Sequence, residues 1–328
     1  MSTVPNDAIP AEAGARPSPV LLWFRIALGI AGLAVLGLIV RHVGTASVID
    51  TLRAAFPWLP ILLALDLFRI ACATASSYFA FGALARGIPR LTLFRAHVLG
   101  YSLGSVAPAP SVADETIKAA FLVPFVGPRA VTAVAFINQA ATWISVGLFS
   151  VLCGLAIFAL RGASLWFWAC VIHAPVLVAS GLALQAVTRS GAPGRWLIKT
   201  FPRLALRSAA FPEGAKQAGL WVAKPTGALL LGRSFQALQY GVAALAVGIH
   251  ASFLGAMAAQ GVSLVASAVG VLVPAGVGVN EGAFTLAADI LNTTAVRATS
   301  LALLIRCRQL IWALIGSGLA FLWPRRRP

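Results

Sequence analysis

The chain has 328 residues, of which 59% are apolar and only 10% are charged. This leaves too little polar surface to coat a soluble globule. Apolar runs of about eighteen residues or more recur, and each is long enough to cross the ~30 Å hydrocarbon core as a helix. The runs do not alternate with period two, which excludes the strands of an outer-membrane barrel. The composition therefore predicts an all-α polytopic membrane protein.

The chain is predicted to begin with a short disordered tail, because residues 1–19 are polar and rich in alanine and proline. Arg25 lies inside the first apolar run, which indicates an uncleaved anchor instead of a cleavable signal peptide. Residues 20–328 are then predicted to form a single transmembrane domain. Its six predicted spans are residues 21–40, 59–85, 130–160, 165–187, 225–249 and 298–323.

Two further apolar regions, residues 97–127 and 251–292, are interrupted near their middle by proline, glycine and carboxylates. Irregular backbone survives in hydrocarbon only where it is buried in protein or lines a wet cavity. We therefore expect each of these regions to form a re-entrant helical hairpin that returns to the side of the membrane from which it entered.

Basic residues indicate the orientation of the chain. The segment 188–224 carries seven Lys or Arg against one acid, Glu213, and positively charged loops stay in the cytoplasm. Two more basic clusters follow the second span and end the chain: Arg86, Arg90 and Arg95, and Arg325, Arg326 and Arg327. Both termini and the basic loop are thus predicted to be cytoplasmic. The formal net charge of +16 is a topology signal and not a footprint for nucleic acid.

The two interrupted regions, "APAPSVADETIKAAF" and "VPAGVGVNEGAFTLA", share a sequence pattern. In both, a Pro-Ala pair is followed six residues later by a polar pair, Asp114-Glu115 in the first and Asn280-Glu281 in the second. With the predicted orientation, the first hairpin enters from the cytoplasm and the second from outside. The two motifs are therefore expected to point in opposite directions.

The similarity extends to the flanking spans. Arg69 and Arg233 each lie about ten residues into their spans, and Arg129 and Arg297 each open the span that follows the motif. These matches predict an inverted-topology internal repeat, an arrangement that secondary transporters build around discontinuous helices. The two copies are predicted at about residues 59–160 and 225–323.

The second motif has the chemistry of a helix N-terminus. Gly276 and Gly278 let the chain turn with little side-chain bulk, and Asn280 is a favoured N-cap for the next helix. Glu281 falls in the first turn, where the helix macrodipole favours a negative charge. The acidic pair of the first motif repeats this arrangement. The alternative is that these acids only cap helices at the membrane interface.

Charged residues inside apolar stretches are costly and usually mark a pathway or a pair. Asp66 and Arg69 are three residues apart on a predicted helix and are expected to neutralise each other. Arg233, Arg306 and Arg308 have no such local partner, so each is expected to meet a distant acid or a ligand. The acids available to them are Glu281, Asp289 and Glu115.

These patterns select a set of candidate residues for substrate binding or translocation. They are Glu281, Asn280, Gly276, Gly278, Arg306, Arg233, Glu115, Asp114, Lys118 and Arg69. No catalytic site, metal site or cofactor is predicted, because the histidines form no cluster and the glycine-rich stretch lacks the lysine of a phosphate-binding loop. The four cysteines lie in apolar spans without paired spacing and are expected to be small core side chains.

The stretch "VLVPAGVGVNEGAF", followed by a span containing "LLIRCRQLIWALIG", resembles the membrane region of the lysylphosphatidylglycerol synthase and flippase-like family. That family has a Pro-x-(Pro)-Gly-Gly-x-Gly-x-x-Glu motif and, after it, an arginine inside the final helix. The matching residues here are Pro274, Gly276, Gly278, Glu281 and Arg306.

An earlier family motif, a proline followed by Gly-Asp/Glu-x-x-Arg, resembles Pro108 through Asp114, Glu115 and Lys118, with lysine in place of arginine. Family members often continue with Glu-Arg-x-x-Asp in the next helix. This chain instead has Asn-Gln-Ala-Ala-Thr at residues 138–142. An ionic element has become neutral, which puts in doubt the coupling or headgroup role that it would have had.

The resemblance covers roughly residues 59–323, and only five residues follow Trp323. It therefore implies the lipid-translocating module without the soluble aminoacyl-transfer domain. We expect a multi-pass protein of the bacterial cytoplasmic (inner) membrane that moves or binds a lipid or a lipid-linked precursor between leaflets, with its headgroup at buried charges near the membrane midplane. We expect a transporter more than an enzyme. Its expected partners are membrane lipids, anionic or lipid-linked, and not nucleic acid.

Two other classes of function stay open at this point. A membrane-embedded lipid-modifying transferase would need an acid or base poised by desolvation, for which Glu115 and Glu281 are the candidates. A non-transporting accessory subunit would instead bind a lipid-modifying enzyme.

Overall fold

The computed structural model of the chain describes residues 37–38, 41, 45–105, 107, 110–190, 222–250, 252–273 and 276–322. The predicted tail at 1–19, nearly all of the predicted span 21–40 and most of the basic loop 188–224 lie outside these described residues. Every regular element within the described residues is a helix, which confirms the predicted all-α class.

The described α-helices are, in chain order, α1 (Thr45–Ala55), α2 (Leu59–Phe81), α3 (Arg90–Gly104), α4 (Pro110–Arg161), α5 (Leu165–Ser190), α6 (Ala223–Ala246), α7 (Phe253–Val269), α8 (Val279–Leu286) and α9 (Ala295–Leu322). Short 3-10 turns at Phe56–Trp58, Gly82–Gly87 and Gly270–Leu272 follow α1, α2 and α7.

Helix α4 is bent into two arms. Gly127 has φ 78° and ψ 161°, outside the helical region, and it is followed by Pro128. A proline disfavours helical backbone at the preceding residue and lacks the N–H for the ladder, while glycine adopts positive φ without steric cost. Residues 110–126 therefore form a first arm and residues 128–161 a second arm.

Four stretches of the described chain are long and apolar enough to cross a membrane. They are Thr45–Gly87, Pro110–Arg161, Leu165–Thr188 and Ala295–Ala320, and they contain all or most of the predicted spans 59–85, 130–160, 165–187 and 298–323. The 24-residue α6, which matches the predicted span 225–249, is also long enough. It is not among these four because Arg233, Gln236 and Gln239 lower its mean hydropathy.

Both interrupted regions are pairs of helices broken at the Pro/Gly motif. Helix α3 and the first arm of α4 form the first pair, and α7 and α8 form the second. At 1.5 Å per residue, the 15-residue α3 and the 8-residue α8 are about 22 and 12 Å long. Each is shorter than the ~30 Å hydrocarbon core.

Glycine lets α4 and α5 approach closely. A Cβ at Gly147 would lie 2.7 Å from the carbonyl oxygen of Ala174, and a Cβ at Gly181 would lie 2.8 Å from that of Ala140. Backbone approach at small residues is how helices associate in lipid, where apolar side chains gain little by leaving one apolar phase for another.

The predicted core role of the cysteines holds for three of the four. Cys72, Cys153 and Cys170 are buried free thiols, whereas Cys307 is exposed on the surface of α9. Cys153 and Cys170 pack on either side of the α4–α5 contact and face Gly261 of α7.

The α4–α5 contact predicts that Gly147→Ala destabilises the protein by about 1–3 kcal/mol, since the new methyl group would overpack against a backbone carbonyl that cannot move alone. Thermal unfolding in detergent measures this as a lowered Tm. Gly318→Ala in α9 is the matched control, because a Cβ there meets no atom within 4 Å. Equal Tm values for the two variants would contradict the close approach.

Candidate functional site

One buried carboxylate, that of Asp66, joins three helices. Asp66 of α2 has no exposed surface. Its Oδ1 accepts hydrogen bonds from Arg69 Nε at 3.3 Å, Tyr101 Oη at 3.2 Å and an Arg308 amino group at 3.0 Å. Its Oδ2 accepts from Trp312 Nε1 at 2.9 Å. We call these five residues, with Gln239, the Asp66 cluster.

The cluster confirms one predicted pair and corrects another. Asp66 and Arg69 do pair, as their spacing predicts. Arg308 was expected to meet Glu281, Asp289, Glu115 or a ligand, and none of these three acids is its partner. Its partner is Asp66, and it also donates to the side-chain oxygen of Gln239. An ionised carboxylate has about four acceptor positions, so the local pair with Arg69 leaves room for a second arginine.

Gln239 extends the cluster to a fourth helix. Its amide donates to the backbone oxygen of Leu62 at 2.7 Å while its oxygen accepts from Arg308. Arg69 also lies over the ring of Tyr101, with Cζ 4.3 Å from the ring centroid, a cation–π geometry. The cluster therefore holds α2, α3, α6 and α9 together through polar contacts.

A polar cavity of about 210 Å³ lies next to the Asp66 cluster, between α2, α3, α4 and α6. Five of the candidate residues line it together with uncharged polar side chains and one histidine. The candidates are Arg69 from α2, Asp114, Glu115 and Lys118 from the first arm of α4, and Arg233 from α6. The structure thus brings half of the sequence-derived candidates to one place.

One wall of the cavity is a carboxylate–lysine triad. Lys118 Nζ lies 3.0 Å from Asp114 Oδ2 and 2.5 Å from Glu115 Oε1, and the lysine side chain is only 7% exposed. Asp114 fits here because α3 presents Gly100 and Gly104 to it, and a Cβ at Gly100 would collide with the Asp114 carboxylate. The first motif therefore places two acids and one base on the cavity.

Two arginines from neighbouring helices also line the cavity. Arg69 is held by Asp66, while Arg233 donates to Gln236 Oε1 at 2.8 Å. Among the described residues Arg233 forms no ion pair. The two helices approach closely beside these side chains, where Gly232 faces Cys72 and Arg69.

Uncharged polar groups form the rest of the lining. Asn138 donates to Ser77 Oγ at 2.7 Å and accepts from Ser76 Oγ at 3.2 Å, and His97 Nε2 lies 2.8 Å from the same Ser77 oxygen. None of these four residues was among the candidates predicted from the sequence. The signal for Asn138 was the neutral replacement at residues 138–142, which was interpreted as a lost function and not as a wall of a site; the other three lie outside that stretch.

Gln139 and Thr142 also line the cavity from the second arm of α4. No hydrogen bond of either side chain to another described residue is present. An amide and a hydroxyl that face a cavity in this state offer both donors and acceptors to whatever occupies it.

The second motif forms a separate, closed arrangement. Glu281 has no exposed surface and accepts from the Gly278 N–H at 2.8 Å and from Arg306 Nε. Arg306 donates in addition to the backbone oxygen of Gly276 at 3.2 Å. Arg306 therefore takes one of the acids expected for it, and the pair fixes the turn that precedes α8.

The predicted N-cap of α8 is wrong. Helix α8 begins at Val279 with Gly278 as N-cap, φ 81°, so Asn280 is the second helical residue and Glu281 the third. A glutamate at the third position reaches back to the N-cap N–H, as in a capping box, and this sets the start of the helix. Asn280 instead lies beside Gly276, and its side-chain oxygen is buried without a hydrogen-bond partner among the described residues.

The candidate set therefore splits between two places. Gly276, Gly278, Asn280, Glu281 and Arg306 gather at the second motif, and none of them lines the cavity beside Asp66. Of the two motif glutamates, only Glu115 lines the cavity.

A family model described as "Lysylphosphatidylglycerol synthase TM region" matches residues 22–317. The match includes the cavity, the Asp66 cluster and the second motif. No curated protein matches the chain.

The Asp66 cluster predicts that Asp66→Asn destabilises the protein by about 3–5 kcal/mol, because two guanidinium groups would lose their shared buried counter-ion. Asp50→Asn is the matched control. Asp50 pairs with Arg53 at 4.0 Å, but both side chains are at least 75% exposed, and such pairs contribute about 0–1 kcal/mol. Thermal unfolding in detergent compares the two. A Tm for Asp66→Asn as high as that of the control would refute the counter-ion role.

Proposed function

The chain belongs to the lysylphosphatidylglycerol synthase TM region family, and we propose that it is a flippase-like translocase that binds the headgroup of a membrane lipid in the cavity beside Asp66. The family and the four membrane-capable helices indicate a multi-pass membrane protein with a lipid-related function. The cavity supports the proposal of headgroup binding, because it offers polar and charged groups within a bundle of apolar helices.

The single observation that carries the proposal is the state of Arg233. This arginine lines the cavity next to Arg69 without an ion pair among the described residues. A cation at membrane depth is costly unless an anion accompanies it. A guanidinium group matches the geometry of phosphate and can bind two of its oxygens at once. A lipid phosphate in the cavity would offset this cost.

The packing of the helices supports an inverted repeat. Helix α2 packs against α6, which are the first helices of the two predicted copies. Helix α3 of the first copy packs against α9 of the second, and α7 of the second packs against α4 of the first. A twofold axis that relates the two copies would produce this pattern, in which helices of one copy pack against helices of the other. Discontinuous helices that meet at such an axis form the substrate site in many transporters.

The turns of the two motifs support the same relation. Gly104 at the end of α3 lies against Pro110, six residues later, and Gly270 after α7 lies against Gly276, also six residues later. Because these helices are too short to cross the hydrocarbon core, we place both pairs as re-entrant hairpins.

A difference in charge between the two copies accompanies the presence of the cavity in only one of them. Arg306 stands nine residues after Arg297, and Asn138 stands nine residues after Arg129. In the second copy the arginine closes on Glu281. In the first copy the corresponding residue, Asn138, is neutral and closes no such ion pair, and the space beside it is the cavity. We therefore assign headgroup binding to the first copy and a structural role to the second.

Within this proposal the cavity residues have distinct roles. Arg233 and Arg69 bind the lipid phosphate from one wall. The triad of Asp114, Glu115 and Lys118 faces the rest of the headgroup from the other wall. The Glu281–Arg306 pair holds the second hairpin rigid. The second hairpin is then a fixed partner against which the first hairpin can move.

The proposal predicts that Arg233→Gln slows leaflet exchange of a labelled lipid in reconstituted liposomes by about tenfold or more, because charge-assisted hydrogen bonds to phosphate are lost. Folding should survive, since the arginine leaves no described counter-ion unpaired. The exchange rate of Arg233→Lys should lie between those of Arg233→Gln and the unmodified protein, because lysine keeps the positive charge but lacks the bidentate fork. Arg53→Gln, at an exposed site, is the control. Full exchange in Arg233→Gln would end the proposal. A chemically changed lipid in the presence of the unmodified protein would favour a transferase. If the unmodified protein neither exchanges nor changes the lipid, an accessory subunit would be favoured.

The orientation that accompanies the proposal predicts which positions face the cytoplasm. In a background with the four native cysteines replaced, Ser190→Cys and Gly214→Cys should react with an impermeant thiol reagent only from the cytoplasmic side. Thr294→Cys, between α8 and α9, should react only from outside. Reaction of position 190 or 214 from the periplasm would overturn the orientation.

A further inference from the structure

We propose that Tyr240, Ser263 and Gln260 form an outer polar layer, which continues the translocation path from the cavity beside Asp66 toward the outer side of the membrane. This inference rests on the proposed function and adds a route to it. It is carried by a buried glutamine whose amide has no partner, and by the position of this glutamine between α4, α6 and α7.

The amide of Gln260 is buried and unpaired. The residue lies in α7 with no exposed surface, and neither its side-chain nitrogen nor its side-chain oxygen has a hydrogen-bond partner among the described residues. Gln239, a buried glutamine of α6, has both partners, the backbone oxygen of Leu62 and the side chain of Arg308. A buried amide without partners is costly and calls for an explanation. Because an amide both donates and accepts, it suits a polar ligand or water that visits the site.

The neighbours of Gln260 on α7 show where its side chain points. Ser263, three residues later and on the same side of the helix, accepts a hydrogen bond from Tyr240 Oη of α6 at 2.5 Å. Gly261, about 100° further round the helix, faces Cys153 of α4. Gln260 lies between these two directions. Its side chain therefore points into the seam where α6 and α4 meet against α7.

The packing of α6 on α7 places Gln260 beyond the cavity. These consecutive helices are joined by residues 247–252 and pack together, so they run in opposite directions. Gly241 of α6 faces Ala256 of α7. Four residues on from this contact, Gln260 is level with about residue 237 of α6. This is about one turn, or 6 Å, beyond Arg233 toward the end where α6 passes into α7. In the proposed orientation that end is the outer one.

The positions along α4 agree with this placement. On its second arm the cavity lining includes Thr142, and Cys153 lies eleven residues further along the helix, about 16 Å at 1.5 Å per residue. A Coulombic interaction reaches from the Arg233 guanidinium to both Cys153 and Tyr240. Arg233 therefore stands between the cavity and the outer polar layer. A headgroup that leaves Arg233 on its way out meets this layer next.

The layer is closed in this structure. Tyr240, Ser263 and Gln260 are all buried, and none of them lines the cavity beside Asp66. Helix α4 belongs to the first copy of the repeat, whereas α6 and α7 belong to the second. Movement of the first copy against a fixed second hairpin widens the seam between them. The unpaired amide then gains the headgroup or its water as a partner.

Gln260→Leu separates a path residue from a core residue. Leucine is similar in size and removes an unpaired buried amide, so Tm in detergent should stay the same or rise. A passing headgroup loses its polar partner, so leaflet exchange should slow by about fivefold or more. The assay uses liposomes of phosphatidylethanolamine and phosphatidylglycerol, with each lipid labelled in turn on an acyl chain. Gln239→Leu is the matched control for folding and should lower Tm, because its amide is fully bonded.

The two hydroxyls of the layer are tested in the same liposomes. Tyr240→Phe keeps the ring that stacks on Phe284, and Ser263→Ala removes only the oxygen. Each should slow exchange by about twofold or more, since one polar contact is lost. Ser317→Ala in α9 is the control, because its exposed hydroxyl bonds only the backbone oxygen of Ala313 at 2.8 Å.

Thiol labelling tests whether the layer becomes wet, independently of any lipid. In a background with the four native cysteines replaced, Gln260→Cys and Ser263→Cys should react from the outer side with methanethiosulfonate-ethylammonium. Their rates should exceed that of Ala258→Cys by about tenfold or more, since thiol reactivity follows access. Ala258 is equally buried but lies on the opposite side of α7. Equal rates at the three positions, or reaction at 260 and 263 only from the cytoplasmic side, would overturn the outer path.

The outcomes separate this inference from the proposal on which it rests. Unchanged exchange in folded Gln260→Leu would overturn the outer path and leave headgroup binding at Arg233 standing. A lowered Tm with unchanged exchange would overturn it as well and would assign Gln260 to a structural water. If the unmodified protein exchanges neither labelled lipid, the proposed function and the path fall together.

Discussion

The structure depends on the burial of one carboxylate, that of Asp66, among apolar helices. Asp66 can remain there only while its oxygens accept from several donors at once, and the donors come from its own helix, from α3 and from α9. Each of these helices must therefore keep a fixed rotation and height relative to α2. The constraint is severe because membrane helices gain little from apolar contact alone, so polar contacts decide their register.

The same constraint explains why a cavity exists next to the cluster. Arg69 is drawn toward Asp66 and Tyr101, which turns it along one side of α2. Arg233 comes from α6, which packs against α2, and Gly232 beside it faces Cys72 and Arg69 of α2. Arg69 and Arg233 are thus brought together, while the nearby acid, Asp66, is already shared with other donors. A site that is short of negative charge is suited to an anion, and in a membrane the abundant anions are lipid phosphates.

Similar sequence motifs have opposite outcomes in the two halves of the chain. Three residues after the shared glutamate, the first motif has Lys118 and the second has Phe284, which is buried against Tyr240. With lysine, the acid finds a local partner and the space beyond remains polar. With phenylalanine and Arg306, the acid is enclosed and the space is filled. One motif is therefore closed by the Glu281–Arg306 pair, and the other lines the cavity.

The sequence by itself determined the features that depend on near neighbours along the chain. These are the membrane class, most of the helical elements, their breaks at the Pro/Gly motifs and the Asp66–Arg69 pair, because hydropathy and a three-residue spacing on a helix are local properties. Helix α1 was not predicted. Only the tertiary structure decided that Arg308 meets Asp66, 242 positions away, that Arg306 closes on Glu281, and that Arg69 and Arg233 share a cavity with Gln139. Those partners depend on how each helix is rotated in the bundle, and rotation is set by packing between distant segments, which spacing along one helix does not contain.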